Sequence, residues 1–400
     1  MTINKQVQDA YILAATRTAV GKAPRGAYRT TRPDTLLAHV LRSVLAQVPA
    51  LDLARVDDVV VGCAMPEYEQ GMNVARIGVL LAGLPSSVPG MTINRFCSSG
   101  LNAVSVAADR IRTGEADIVI AAGTESMSMI PMLGRLAMNA DVFAGDENVG
   151  IAYGMGLTSE RVAAQWHVTR EEQDAFALAS HQKALAAQAG GEFDAELSPV
   201  EVVTRSPDLA TDAVVQQARR VTRDEGPRAD TTADGLAKLK PAFAAKGTIT
   251  AGNSSQMSDG AAASIVVSER ALHALGAAPL ARWRGYAVAG VAPELMGIGP
   301  AVAIPNVLKL AGIRQQDVDW IELNEAFAAQ ALAVVRELAL DPAKINPLGG
   351  AIALGHPLGA TGAVRTATIT HGLKRRKQKY GLVTMCVGTG MGAAGLFEAM

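Results

Sequence analysis

Short β-branched and apolar runs return along this chain between stretches of helical periodicity, and no other feature restricts its possible folds as strongly. They read YILAAT from Tyr11, DVVVGC from Asp58, DIVIAAG from Asp117, SIVVS from Ser264, DWIEL from Asp319 and YGLVTMCV from Tyr380. Between the first two, Leu37, Val40, Leu41, Val44 and Leu45 line one face of a helix whose predicted cap is Asp34. Runs this apolar need cover on both faces. Strand and helix in alternation therefore predict a parallel or mixed sheet wrapped by helices, the α/β class. With 400 residues, 49% of them hydrophobic, the chain can fill two or three domain-sized cores.

Two distant stretches share one plan. INRFCSSGLNAVSVAADRIRTGEADIVIAAG from Ile93 and INPLGGAIALGHPLGATGAVRTATITHGLKRRKQKYGLVTMC from Ile345 each run through Ile-Asn, a turn of small residues, a helix of small and apolar residues, and a strand. Leu101, Val104, Ala108 and Ile111 share one face of the first helix. The parallel predicts an internal duplication. Residues 124–250 have another character, opening on TESMSMIPM and closing on the arginine-bearing RRVTRDEGPRADTTADG. Within them Thr169 and Glu172 stand at capping-box spacing ahead of a long helix. So long an excursion between α/β units predicts an insertion that covers a substrate.

A net charge of −1 offers no global attraction to nucleic acid or an anionic membrane, so an anionic ligand would need a local patch. KRRKQK from Lys374 follows a helical pattern and reads as a solvated helix end, where cations complement the dipole. The uncharged run from Ile77 to Asn94 is broken by Pro85, Pro89 and glycines, which argues against a membrane span. Three scattered cysteines, Cys63, Cys97 and Cys386, cannot build a disulfide framework, and MTINKQVQDAYILAATRT lacks a secretory pattern. A cytoplasmic protein is expected.

Cys97 stands where a strand gives way to Ser98, Ser99, Gly100 and a helix. Helix dipole and free amides there predict a lowered thiol pKa and a reactive thiolate; a buried structural cysteine is the alternative. His356 lies in the glycine-rich turn GGAIALGHPLGATG, Cys386 ends a strand before glycines, and Asn324 occupies a strand-to-helix junction in IELNEAFAAQ. Polar candidates at the ends of α/β elements are where such sheets place their sites. A zinc site from Cys97, Cys386 and His356 would need close ligand spacing that no pair has. GMGAAG from Gly390 fits a dinucleotide pattern, but the chain closes at Met400 without room for its helix or acidic residue. Cys63, without a helix-start pattern after it, reads as structural.

These blocks resemble the thiolase family, most closely its degradative 3-ketoacyl-CoA branch. The likeness extends through NRFCSSGL, GTESMS, MGLTSERVA, EEQDAFALASHQKA, GLAKLKPAF, TAGNSSQMSDGAAA, MGIGPAVAIP, LNEAFAAQ, NPLGGAIALGHPLGATGA and MCVGTGMGAA. It implies the thiolase fold: two similar βαβαβαββ halves stacked as αβαβα layers. The first half would comprise 1–123 and 251–276, interrupted by a loop domain at 124–250, and the second 277–400. By motif, Cys97 would be the acyl-accepting nucleophile, His356 its base, Asn324 the holder of an oxyanion-hole water and Cys386 the second acid/base. The amides of Cys97 and Gly388 would form another oxyanion hole. Arg228 would meet the nucleotide end of coenzyme A and Ser255 its pantetheine, with Met155, Met257, Met296 and Phe327 lining the channel; core packing is the competing account of these last four.

The resemblance thus implies CoA-dependent thiolysis of 3-ketoacyl-CoA in β-oxidation, with coenzyme A as cosubstrate and no metal or bound cofactor. A biosynthetic acetoacetyl-CoA thiolase is the enzyme alternative, although Gly154 stands in YGMG where short-chain members carry histidine. A noncatalytic acyl-CoA-binding protein is the alternative of another class. Family members form homodimers or homotetramers, some with a multifunctional β-oxidation subunit.

Overall fold

The computed structural model describes residues 7–132 and 138–400, so the first six residues of the amino-terminal stretch lie outside it. The strands are β1 (Ala10–Arg17), β2 (Gly21–Lys22), β3 (Asp58–Gly62), β4 (Met91–Ile93), β5 (Ile118–Ser126), β6 (Val200–Asp208), β7 (Ala213–Val221), β8 (Ser258–Ser268), β9 (Ala281–Gly290), β10 (Trp320–Leu323), β11 (Tyr380–Val387) and β12 (Met391–Ala399). The helices are α1 (Pro33–Ala46), α2 (Val74–Ala82), α3 (Ser99–Arg112), α4 (Met155–Gln165), α5 (Arg170–Ala189), α6 (Ala233–Ala237), α7 (Glu269–Leu275), α8 (Gly299–Ala311), α9 (Ala328–Glu337), α10 (Ala351–Leu354) and α11 (Leu358–Arg376).

One strand order occurs twice. In the first half it is β4-β3-β5-β8-β1, with β3 parallel to β4 and β5 and the remaining pairs antiparallel. In the second it is β10-β11-β12-β9, with β10 parallel to β11 and the rest antiparallel. Ile345 stands in for the counterpart of β4 by bridging Ile321 in parallel. Among the described residues, strand pairing between the two arrays is confined to Ala10–Ile12 against Ala281–Trp283.

Layering follows from strands buried on both faces. Val59, Val61 and Ile118 meet Leu37 and Leu41 of α1 on the outside. Val60 and Val119 point inward to Leu101, Val104 and Ile111 of α3, in a core shared with Val383, Met385 and Phe397 of the other half. Ile321, Leu382 and Leu396 face Ile304 and Val307 of α8 and Val334 of α9. The sequence from outside to outside is thus αβαβα. Each fully buried aliphatic side chain contributes about 1.5–3 kcal/mol to holding it.

The central helices α3 and α11 run in backbone contact. A Cβ at Gly100 would lie 2.6 Å from the Ala363 nitrogen, and one at Gly362 would lie 2.2 Å from the Leu101 nitrogen. Only glycine permits that approach. The segment between β5 and β8 carries α4, α5 and the exposed hairpin β6–β7, and the capping box at Thr169 and Glu172 is formed. Buried Arg17 fastens this segment to β1 through Glu196 at 2.6 Å and Asp224 at 2.7 Å. Removing one partner from such a group costs about 3–5 kcal/mol.

Asp34 does not cap α1. Arg32 takes the N-cap position and Pro33 the first turn, leaving Asp34 to pair with the Arg32 guanidinium at 2.8 Å. Lys374, Arg375 and Arg376 form the last turn of α11, with Arg376 paired to Glu192 at 2.9 Å. Among the described residues no helix is long and apolar enough to cross a membrane.

Candidate active site

Cys97 lies in a tight turn, Phe96–Ser98, just before α3. The turn is locked by its own polar groups. The Phe96 amide donates to Asn94 Oδ1 at 2.8 Å, the Arg95 amide to Ser99 Oγ at 2.8 Å, and Ser99 Oγ to the Phe96 carbonyl at 2.7 Å. These bonds hold Phe96 at φ 43°, a left-handed conformation costly for a bulky residue and typical of residues fixed for function. Met65, Met127 and Leu358 pack around Phe96 and Cys97.

His356 stands in the same relation to α11 as Cys97 to α3, two residues ahead of the helix start. Because the two helices touch at their first turns, both residues come to one level of the molecule. The His356 ring is nearly enclosed, at 4% exposure, and its hydrogen bonds define its proton. Thr361 Oγ1 donates to the Pro357 carbonyl at 2.9 Å, so it accepts from His356 Nδ1–H at 2.6 Å. Nε2 then carries the lone pair and accepts from Asn324 Nδ2 at 3.3 Å. Asn324 is itself fixed by its amide, which donates to the Thr384 carbonyl at 2.9 Å. Its side-chain oxygen is buried and has no partner among the described residues.

Cys386, near the end of β11, is buried with Met296, Phe327 and partly buried Met155. Gly388 stands two residues on, just past β11, and its amide pulls the Cys97 thiol pKa down. A Cβ at 388 would meet the Phe96 ring at 3.7 Å and Met155 Sδ at 3.9 Å. Cys97, Gly388, Cys386, Asn324 and His356 are therefore drawn from both halves onto neighbouring turns.

The expected lowering of the Cys97 pKa is not what the surroundings produce. Burial pushes the thiol up to about 12, while the Gly388 amide and its own amide pull it down and the Glu125 carboxylate pushes it further up. Cys97, only half-buried, precedes the helix rather than capping it, and desolvation by its neighbours outweighs the dipole. Cys386 is raised well above an ordinary thiol by burial, then by Cys97. Burial, then the charge of Arg365, drives His356 down to about 3. At neutral pH all three groups rest uncharged.

The predicted substrate residues divide into two groups. Ser255 donates its amide to the Ala326 carbonyl at 2.9 Å, Ser254 bridges Phe327, and Met257 bridges His356. Ser255, Met257 and Phe327 thus flank the reactive turns, and Met155 and Met296 join them through the Cys386 cluster. Arg228 lies apart, in a cleft of about 370 Å³ lined also by Lys22, His181, Thr232 and Gln256. That cleft contains neither cysteine, but Gln256 adjoins Met257 and so connects it to His356. Burial pulls His181 down to about 4, leaving a neutral Nδ1 that accepts the Arg228 amide at 3.2 Å.

Thr361, bonded to His356, and Phe243, packed on Phe327, adjoin the site without a role assigned to them by the sequence motifs. Phe243 lies edge-on to Phe327, with centroids 5.9 Å apart. Nothing in the local pattern marks it, whereas a hydroxyl five residues after a histidine on a helix start was a usable signal. Cys63 is buried beside Glu125, 3.9 Å from its carboxylate, which agrees with a structural role. Among the described residues no three His, Cys, Asp or Glu side chains form a group able to hold a metal ion.

The family description "Thiolase, N-terminal domain" matches residues 10–270, and "Thiolase, C-terminal domain" matches 277–399. A 3-ketoacyl-CoA thiolase of Bacillus subtilis is 49% identical, over 98% of this chain and all of the relative. The peroxisomal 3-ketoacyl-CoA thiolase of Homo sapiens is 47% identical, over 98% of this chain and 91% of the relative. Among solved structures, the Bacillus anthracis acetyl-CoA acetyltransferase superposes with a TM-score of 0.89 at 39% identity, covering 99% of this chain and 100% of that one. The dimeric peroxisomal thiolase of Saccharomyces cerevisiae gives 0.88 at 40% identity, covering 100% and 99%.

Proposed function

This chain belongs to the thiolase family, and on that premise we propose that it cleaves 3-ketoacyl-CoA with coenzyme A, giving acetyl-CoA and an acyl-CoA two carbons shorter. The supporting observation is that Cys97, its thiol drawn down by the nearby Gly388 amide, shares one level with a histidine whose lone pair is on Nε2, where it receives the Asn324 side-chain amide at 3.3 Å. In the first half-reaction Cys97 gives its proton to His356 Nε2 as sulfur attacks the 3-keto carbon. The C2–C3 bond breaks, its electron pair forms the enolate of acetyl-CoA, and C2 takes the Cys386 proton. In the second, the CoA thiol passes its proton to Cys386 and attacks the acyl group. Cys97 leaves and recovers its proton from His356. The amides of Cys97 and Gly388 stabilise one oxyanion and a water held by Asn324 another, each donor worth about 3–4 kcal/mol of barrier.

The cleft around Arg228 suits the phosphorylated end of coenzyme A, and the path past Ser255 and Met257 suits its pantetheine arm. Gly154, standing where short-chain members of the family carry histidine, favours acyl chains longer than four carbons and a role in β-oxidation. The free thiols fit a reducing compartment, proposed to be the cytoplasm. The dimeric yeast relative supports a homo-oligomer, and a multifunctional β-oxidation subunit is a further proposed partner.

The test is mass spectrometry after brief exposure to a medium-chain 3-ketoacyl-CoA. An acyl adduct on Cys97, discharged by CoA and absent in Cys97→Ser, is expected. Ligand binding with no adduct and no cleavage would identify a noncatalytic acyl-CoA-binding protein instead. Turnover confined to four-carbon substrates would favour the biosynthetic reading.

A further inference from the structure

His356 sits in a three-residue loop, Gly355–Pro357, strung between α10 and α11. Neither helix begins with a side-chain cap of its own. In each, the amide of the second helical residue is received instead by a buried glutamate from elsewhere in the chain. The Ile352 amide donates to Glu325 Oε2 at 3.2 Å, and the Gly359 amide donates to Glu125 Oε2 at 2.8 Å. Glu125 lies near the end of β5 and Glu325 just beyond β10, 1% and 2% exposed.

We infer that Glu125 and Glu325 are positioning residues that hold the His356 loop from both sides, an inference resting on His356 as the base of the proposed reaction. The surroundings of Glu125 are all donors. Its Oε2 also takes the Ala64 amide at 2.8 Å, while Oε1 takes the Gln70 side-chain amide and faces the Cys63 thiol. Only an acceptor without hydrogens satisfies such a set. Glu325 takes the Ser180 hydroxyl at 2.7 Å and Asn346 Nδ2 at 2.8 Å, and Ser180 Oγ in turn receives the Gly350 amide at 3.1 Å.

The glycines of GGAIALGHPLG fall where these carboxylates need space. A Cβ at 350 would lie 2.0 Å from Glu325 Cδ, and one at 359 would lie 2.8 Å from Glu125 Oε2. Position then passes to the ring by short steps. The first turn of α11 carries Thr361, Thr361 fixes Nδ1, and Nδ1 fixes the direction of Nε2. On the other side the His356 amide donates to the Gln256 carbonyl at 3.2 Å and Ser258 Oγ at 3.1 Å, so a displaced helix start twists the ring against an anchored backbone.

Glu125→Gln, Glu125→Ala, Glu325→Gln and Ser180→Ala test this in the full-length chain, with two independent readouts. Glu125→Gln keeps the volume but turns an NH₂ group toward donors. It is expected to lower kcat about tenfold, and Glu125→Ala about a hundredfold, with KM for CoA within about twofold of wild type because none of the groups Glu125 holds lines the Arg228 cleft. Hydrogen–deuterium exchange of residues 355–361 should accelerate about tenfold or more while residues 228–239 keep their rates. Glu325→Gln and Ser180→Ala, the milder changes, should accelerate exchange at 355–361 and lower kcat at smaller amplitude; both lie beside lining residues of the Arg228 cleft, so the KM and 228–239 controls are read on the Glu125 variants. Unchanged exchange at 355–361 overturns the inference, as does a kcat that falls only in step with the folded fraction. If the wild-type chain forms no acyl adduct, the proposed reaction fails, and the exchange readout still decides whether the glutamates fix the loop.

Discussion

Replacing Gly100 with alanine places a methyl group where the two central helices already touch. Its Cβ would lie 2.6 Å from the Ala363 nitrogen and 2.8 Å from the Gly359 carbonyl oxygen, both backbone atoms. Carbon contacts settle near 3.5–4.0 Å, so the helices must part by about 1 Å. Overpacking of this kind costs about 1–3 kcal/mol, enough to lower the melting temperature by a few degrees. The larger effect should be chemical, because Cys97 and His356 precede opposite members of the pair. A displacement of about 1 Å between reacting groups is worth about 10²-fold in rate. CoA-dependent cleavage of a 3-ketoacyl-CoA and thermal unfolding measure the two effects. Gly290→Ala is the comparison, since a Cβ there meets nothing within 4 Å. Wild-type turnover in Gly100→Ala, or equal damage from Gly290→Ala, would refute the argument.

Thr361→Val removes the acceptor for His356 Nδ1 and should lower kcat roughly 10²-fold with little change in KM; steady-state kinetics that match wild type would show the anchor to be dispensable. Arg228→Ala should raise KM for CoA about tenfold and leave kcat nearly unchanged, the loss of a charge-assisted contact at the far end of the ligand; an equal fall in kcat would count against that placement. His356 remains neutral down to about pH 3 in the folded chain, so the unfolded chain takes its proton first. Stability should therefore fall as pH drops below about 6.5, by roughly 2 kcal/mol from this residue at pH 5. Urea unfolding of wild type and His356→Asn at pH 7 and pH 5 tests this, the variant being expected to lose less.

Local signals survived folding where they were self-contained. Thr169 and Glu172 form their capping box because both partners lie within one turn. The apolar runs become strands because burial on both faces leaves no other use for them. Asp34 failed as a cap because Pro33 fixes the first turn one residue earlier. The strand β9 alternates buried Ala281, Trp283, Gly285 and Ala287 with more open Arg282, Arg284 and Tyr286, a pattern that could have been read. The outer part of hairpin β6–β7 could not, since only Val200, Val202 and Val221 at its base join a core and β7 is exposed along all but its last residue. At the site, Cys97 and His356 were legible from their turns, but the sign of the thiol shift was not. A helix start is written locally, whereas the enclosure that outweighs it comes from Met65, Met127 and Leu358, distant in sequence.

The repeated strand order has a consequence for the ancestry of the chemistry. The sulfur that would carry the acyl group belongs to one copy of the motif, and the imidazole and second thiol belong to the other. A single ancestral unit could have offered such a constellation only by meeting another copy of itself. Division of labour between the copies became available once both were fused in one polypeptide.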